Sequence, residues 1–94
     1  MNITGIIWLR NVVYKLLWKH NITTEEVEEV FANAPRYKFQ ERGNIEGEDL
    51  YTAYGRTNAG RYLTVFFIYK FSHEALIVTA RDMDRKERRQ YAKT

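Results

Sequence analysis

The chain has no cysteine, which removes thiol nucleophiles, disulfides and thiolate metal sites from consideration. Its two histidines, His20 and His73, lie far apart and outside any ligand spacing such as HExxH, so no metal site is expected. There is no GxxxxGK[ST] or GxGxxG loop to cradle a phosphate. Ser72 is the sole serine and falls in an expected turn, a poor position for a Ser-His-Asp triad. What remains is a set of cations, tyrosines, carboxylates and His20. Such a set can cleave RNA without a metal. A base takes the 2′-hydroxyl proton, cations offset the charge of the phosphorane, and an acid protonates the leaving oxygen. His20 suits either proton-transfer role because an imidazole titrates near neutrality, and Lys19, Arg61 and Arg81 suit the phosphate. Each has a plainer alternative. His20 can complete a helix C-terminus, Arg81 can pair with Glu87 or an acid of the second helix, and Tyr91 can be a core aromatic. On residue types alone a generic binding module is favoured over a nuclease.

These side chains must be positioned by elements the pattern makes legible. Arg61 to Tyr69 is almost wholly aromatic or β-branched, and predicts a central strand covered on both sides. Ala75 to Ala80 predicts its hairpin partner across Lys70-Phe71-Ser72-His73-Glu74. Asn2 to Trp8 is a short β-branched run suited to an edge strand. Leu9, Val12, Val13, Leu16 and Leu17 form one helical stripe. Lys19 and His20 complement its C-terminal dipole, and Asn21 can take a left-handed cap. Thr23 and Glu26 match a capping box, Val27, Val30 and Phe31 give the second helix its apolar face, and Asn33-Ala34-Pro35 ends it. Arg36 to Gln40 predicts a strand with one wet face, Arg42 to Glu46 a loop, Asp49 to Gly55 a strand and Thr57 to Gly60 a turn. Asp84 and Glu87 match a second capping box, opening a basic helix to Lys93. The expected fold is α+β: an N-terminal strand, two helices, a four-strand antiparallel meander and a C-terminal helix packed on one sheet.

Ninety-four residues fit one domain spanning 1–94, and seven Tyr, five Phe and two Trp supply its core. No apolar run reaches membrane-span length and no signal-peptide pattern opens the chain, so a soluble cytoplasmic protein is expected. The net charge of +3 is unevenly spread. Residues 1–20 carry three bases and no acid, residues 21–50 carry eight acids, and residues 81–94 carry six bases. If the two basic ends meet they form a face suited to phosphate; otherwise they are solvated helix faces.

Three groups of residues in order carry a family resemblance. Trp8, Lys19 and His20 are followed by Glu25, Glu26, Val30 and Phe31. Gly47-Glu48, Tyr54-Gly55-Arg56 and Gly60-Arg61 come next. Val78-Thr79-Ala80-Arg81, Arg85-Lys86-Glu87-Arg88 and Tyr91 close the series. From about Ile3 to Tyr91 the chain resembles BrnT, the toxin of a type II toxin–antitoxin pair, similar in fold to RelE-type toxins. The resemblance implies a metal-independent ribonuclease without cofactors, and neutralisation by a BrnA-like ribbon-helix-helix antitoxin. Operator DNA would be reached only through that antitoxin. With it come site expectations: Lys19, Arg61 and Arg81 for phosphate, His20 and Tyr91 for proton transfer, Glu48 as a base, and Arg56, Arg85 and Arg88 for substrate binding. The chain also departs from the family. Leu9, Val12 and Leu16 stand where Asp, Lys and Asn are usual, Leu50 replaces an arginine, and Gly43 and Asn44 occupy a region that often holds a histidine. The alternative is therefore a catalytically weak or inactive protein-binding module on a BrnT fold.

Overall fold

Residues 1–93 are described by the computed structural model. Strand β1 (Gly5–Ile7) leads into helix α1 (Arg10–His20) and helix α2 (Thr24–Ala32). Strands β2 (Arg36–Glu41), β3 (Leu50–Arg56), β4 (Tyr62–Tyr69) and β5 (Glu74–Asp82) follow, and helix α3 (Arg85–Lys93) ends the described chain. The sheet order is β1-β5-β4-β3-β2. The last four strands form the expected antiparallel meander. The N-terminal strand closes the other edge by pairing parallel to β5, with Gly5 opposite Glu74 and Ile7 opposite Leu76.

Alternation along β4 divides its side chains between two faces. Leu63, Val65 and Phe67 point to one side and are fully buried with Ala53, Ala75, Ile77 and Ala80. Leu16 of α1, Val27 and Val30 of α2, and Ile22 between the helices complete that core. Phe67 is its centre, with Phe31 edge-on at 5.4 Å, Tyr37 edge-on at 6.0 Å and Tyr51 stacked at 6.0 Å. Gly55 allows α2 to lie close, because a Cβ there would come within 3.0 Å of Val30 and 3.2 Å of Pro35.

The opposite face is only partly covered. Helix α3 has nine residues and reaches one end of the sheet, where Thr64 Oγ1 donates to Glu87 Oε1 at 3.2 Å. Phe66 and Ile68 are left half-buried, so β4 is covered on both sides over its first half alone. Strand β2 is an edge with little beyond it, and Phe39 on it is 50 % exposed despite the alternating sequence.

The helix ends form as their residues dictate. Asn21 takes the left-handed conformation at φ 54°, which an Asn side chain tolerates, and its amide returns to α1 carbonyls. The α2 capping box is complete: Glu26 N–H donates to Thr23 Oγ1 at 3.1 Å, and Thr23 N–H donates to Glu26 Oε1 at 3.0 Å. The α3 box is also complete, with Glu87 N–H to Asp84 Oδ1 at 2.8 Å and Asp84 N–H to Glu87 Oε1 at 2.9 Å. Helix α1 lacks a side-chain N-cap, because Leu9 sits there and is 46 % exposed. The α1 stripe is narrower than its spacing suggests. Leu16 is buried, Val12 and Val13 are half-buried, and Leu17 turns outward with Tyr14 and Trp18.

Two substitutions separate core from cap. Phe67→Ala is expected to cost about 3–5 kcal/mol, and Thr23→Ala about 1 kcal/mol. Urea unfolding monitored by tryptophan fluorescence checks both; a Phe67→Ala cost no larger than the cap's would contradict this account of the core.

Candidate functional site

The residues singled out for chemistry collect mainly at one end of the sheet, where β3 ends, β4 begins and β5 ends. Arg56 and Tyr62 are cross-strand partners there, and Leu63 and Thr64 face Asp82 and Arg81. The turn between β3 and β4 is closed by Thr57 N–H to the Arg61 carbonyl at 2.9 Å.

Arg61 lies on the helix side of this end. Its Nε donates to Asp82 Oδ1 at 2.8 Å and its Nη2 to Asp82 Oδ2 at 3.2 Å, a two-point grip on the carboxylate. Nη1 donates to the Asn21 carbonyl at 2.7 Å and stands 3.3 Å from both Glu26 oxygens; Nη2 also reaches the His20 carbonyl at 3.1 Å. One guanidinium thus binds the open C-terminal carbonyls of α1, the capping-box glutamate of α2 and the end of β5. The hydrogen bond from Arg61 holds the Asp82 carboxyl below the usual range against the opposing effect of burial, and the charges of Arg61 and His20 add to this. His20 is half-buried at this helix end, and Lys19 is exposed beside it.

Arg81 leans to the other face. Nη1 and Nη2 donate to the two Glu87 oxygens at 2.6 and 2.8 Å, and the guanidinium lies 5.6 Å from the Phe66 ring centroid. Burial pushes the Glu87 carboxyl up, but the hydrogen bond from Arg81, the Asp84 amide and Thr64 together bring it below its ordinary value. The plainer pairing expected of Arg81, with Glu87, is therefore present in the structure.

Beyond Arg81 runs a line of cations and rings. Arg88 of α3 lies over the Tyr62 ring with 4.2 Å from Cζ to the centroid, and Arg56 approaches the same ring at 5.7 Å. Tyr91 meets Tyr62 edge-on at 5.9 Å, and Arg36 of β2 lies over Tyr91 at 5.7 Å. Arg56 first, and then Arg88, hold the Tyr62 phenol below the ordinary tyrosine range. Two open clefts share Tyr91 as a wall. One, of about 660 Å³, runs between α3 and β2 and is lined by Arg36, Lys38, Tyr54 and Lys86 among others. The other, of about 680 Å³, is lined by Arg56 and the β3–β4 turn.

The structure thus brings Arg56, Arg88 and Tyr91 together, and places His20, Lys19 and Arg61 around the corner of the same sheet end. Arg85 is exposed at the start of α3. Glu48 is not brought there. It accepts from Lys70 Nζ at 3.0 Å at the far end of the sheet, and the seven residues of β3 set the two ends about 20 Å apart. Among the described residues no group of three His, Asp or Glu side chains converges on a point where a metal could be held. Tyr62, Arg36 and Asp82 belong to these arrangements but are absent from the sequence-based set. The expected turn, Thr57 to Gly60, would have paired Arg56 with Arg61; the connection is one residue longer, and Arg56 faces Tyr62.

A 1.1 Å crystal structure of the Brucella abortus ribonuclease toxin BrnT superposes with a TM-score of 0.59, covering 86 % of this chain and 97 % of that one at 16 % identity. The fold is therefore that of a small α+β ribonuclease toxin. A family model described as the ribonuclease toxin BrnT of type II toxin–antitoxin systems matches residues 11–87, and the chain belongs to that family. No curated protein matches it. Family membership implies an antitoxin partner. Among the described residues no helix is long and apolar enough to cross a membrane.

The two depressed carboxylates predict an acid-sensitive fold. Their unfolded values are about 3.9 for Asp and 4.3 for Glu. Because the folded values are lower, the stability they contribute is present above the unfolded range and is lost as pH falls through the folded values. Thermal unfolding followed from about pH 6 to 2 should show the midpoint dropping below about pH 4. An Asp82→Asn/Glu87→Gln variant should show a flatter profile, and an unchanged slope would contradict the assignment.

Proposed function

We propose that this chain is a metal-independent endoribonuclease that arrests growth from the cytoplasm until a BrnA-like ribbon-helix-helix antitoxin binds it. Operator DNA would be reached only through that antitoxin. The observation that carries this reading is the convergence of Arg36, Arg56, Arg88 and Tyr91 at one open end of the sheet. Among the described residues no carboxylate forms a salt bridge with any of these three arginines, whereas Lys70, Arg61 and Arg81 are paired. Guanidiniums without carboxylate partners suit RNA phosphate, and Arg36 and Arg56 line the open clefts.

In this reading Arg56 and Arg88 hold the scissile phosphate and offset the charge that builds on its oxygens. Arg85 extends the phosphate track along α3. Tyr91, between the two clefts, transfers a proton at one of the reacting oxygens. His20 and Lys19 face the RNA from the helix side, where His20 takes or returns the second proton. Arg61 and Arg81, expected to bind phosphate directly, act instead by fixing the helix ends and β5, since their donors already serve carboxylates and carbonyls. Glu48 has no part in this site, because it lies at the far end of the sheet.

A second reading, the inactive protein-binding module, draws on α1. Tyr14 is 65 % exposed, Leu17 51 % and Trp18 79 %, an apolar strip facing solvent. Such a strip fits a protein partner in either reading.

Two experiments separate them. Purified chain freed of antitoxin should cleave RNA in the presence of EDTA, and induced wild type should arrest growth. An Arg56→Ala/Arg88→Ala variant should lose at least about 10²-fold in cleavage rate and should not arrest growth. Intact RNA and normal growth with folded wild type would leave only the binding module.

A further inference from the structure

We infer that Tyr62, with Arg88 laid across its ring, is the surface on which one unpaired nucleobase stacks, so that the enzyme selects single-stranded RNA over duplex. The inference rests on the ribonuclease reading and adds its substrate class.

Tyr62 is not needed by the core. It points away from Leu63, Val65 and Phe67, and the aromatic cluster around Phe67 is built from Phe31, Tyr37 and Tyr51. It is half-buried at the mouth of the sheet end, beside Arg56 at the base of an exposed turn. Its ring meets two cations and one other ring. Arg88 approaches at 4.2 Å, within stacking range, Arg56 stands at 5.7 Å, and Tyr91 meets it edge-on at 5.9 Å. Arg36 lies over Tyr91 at 5.7 Å and extends the alternation by one more cation.

Alternating guanidiniums and rings along an open surface match the chemistry of a single strand. Each nucleotide offers one anionic phosphate and one flat π-face. Arginine can serve both, because its plane stacks on bases and its edge binds phosphate. In a duplex the bases are stacked on one another and their faces are closed to a side chain, so this surface would read only the duplex backbone. Arg56 and Arg88 hold the Tyr62 phenol below its ordinary value, in keeping with these two cationic neighbours, but stacking needs only the ring.

The test uses the full chain freed of antitoxin and a cleavage-inert 2′-O-methyl oligoribonucleotide carrying 2-aminopurine, whose fluorescence is quenched on stacking. Wild type should bind the single strand, quench the probe, and bind the same oligonucleotide much more weakly as a duplex. Tyr62→Leu should weaken single-strand binding about 5- to 100-fold and abolish the quenching. Tyr62→Phe should keep both within about twofold, since it keeps the π-face. Tyr62→Trp, with a larger face, should bind at least as tightly and quench more deeply, and it serves as the test if Tyr62→Leu does not fold. The inference is overturned if folded Tyr62→Leu binds and quenches like wild type. It is also overturned if Tyr62→Phe loses as much as Tyr62→Leu, if Tyr62→Trp leaves the quenching unchanged, or if duplex binds as well as single strand. A parallel cleavage assay on unmodified RNA keeps the two readings apart. Cleavage by wild type with Tyr62 indifferent removes the stacking role alone. Binding and quenching without cleavage remove the nuclease alone. Absence of both removes both.

Discussion

The structure depends on what Arg61 does with its guanidinium. Helix α1 ends with carbonyls that no later turn of helix satisfies, and a left-handed Asn21 turns the chain directly into α2. A cation at that point meets the negative end of the α1 dipole, and two of those carbonyls accept from Arg61. The same group reaches Glu26, already committed to the α2 capping box, and Asp82 at the end of β5. Two helices and the sheet are thus located against one another by one partly buried side chain. Lysine, a point charge without the planar fork, cannot reproduce this set of contacts. The surface terms are individually small. Their weight lies in tying the facing ends of α1 and α2 to the end of β5.

A division of labour among the cations follows. Those nearest the turn from β5 into α3 are tied to acids: Arg61 to Asp82 and Glu26, Arg81 to Glu87. Those one step further out rest against aromatic rings: Arg56 and Arg88 on Tyr62, Arg36 on Tyr91. The first group ties the helix ends to the sheet, and in the second Arg36 and Arg56 line the open clefts. The acidic α2 stays on the core side of the sheet, so its glutamates do not neutralise the arginines on the α3 side.

Much of the fold was legible because its signals are local. Thr23 with Glu26 and Asp84 with Glu87 announce their helices through backbone donors within one turn, and Pro35 ends α2 by a steric rule. The four-strand meander followed from runs separated by short turns. What the residue pattern could not reveal was how far each face is covered. The apolar run of β4 reads the same whether α3 spans it or, as here, stops halfway and leaves Phe66 and Ile68 half-buried. The α1 stripe likewise conceals that Leu17 joins Tyr14 and Trp18 on an outer strip, because periodicity counts apolar residues without saying what lies opposite. For the site, residue type pointed to Arg61 and Arg81 for phosphate, and Arg56 and Arg88 entered only with the family resemblance. Only the register of β4 against β5 and the placement of α3 separate paired cations from those beside rings. The same register brings Tyr62, read as one residue of an apolar strand, into the line of cations.

The parallel pairing of β1 with β5 sets the order in which the molecule can be completed. Gly5 meets Glu74 and Ile7 meets Leu76, so β1 has no strand partner until β5 is in place. Closing a loop of that span is slow, because its entropy is lost before any contact is gained. The meander and α2 can assemble from neighbouring sequence, but α1 lacks its main neighbour until β5 exists, and Arg61 lacks its Asp82 grip until then. A chain interrupted before Asp82 is therefore not a smaller version of the protein. It is a partial sheet with an unsupported N-terminal helix and an uncapped junction, and a cell's proteases would meet it as an unfolded segment.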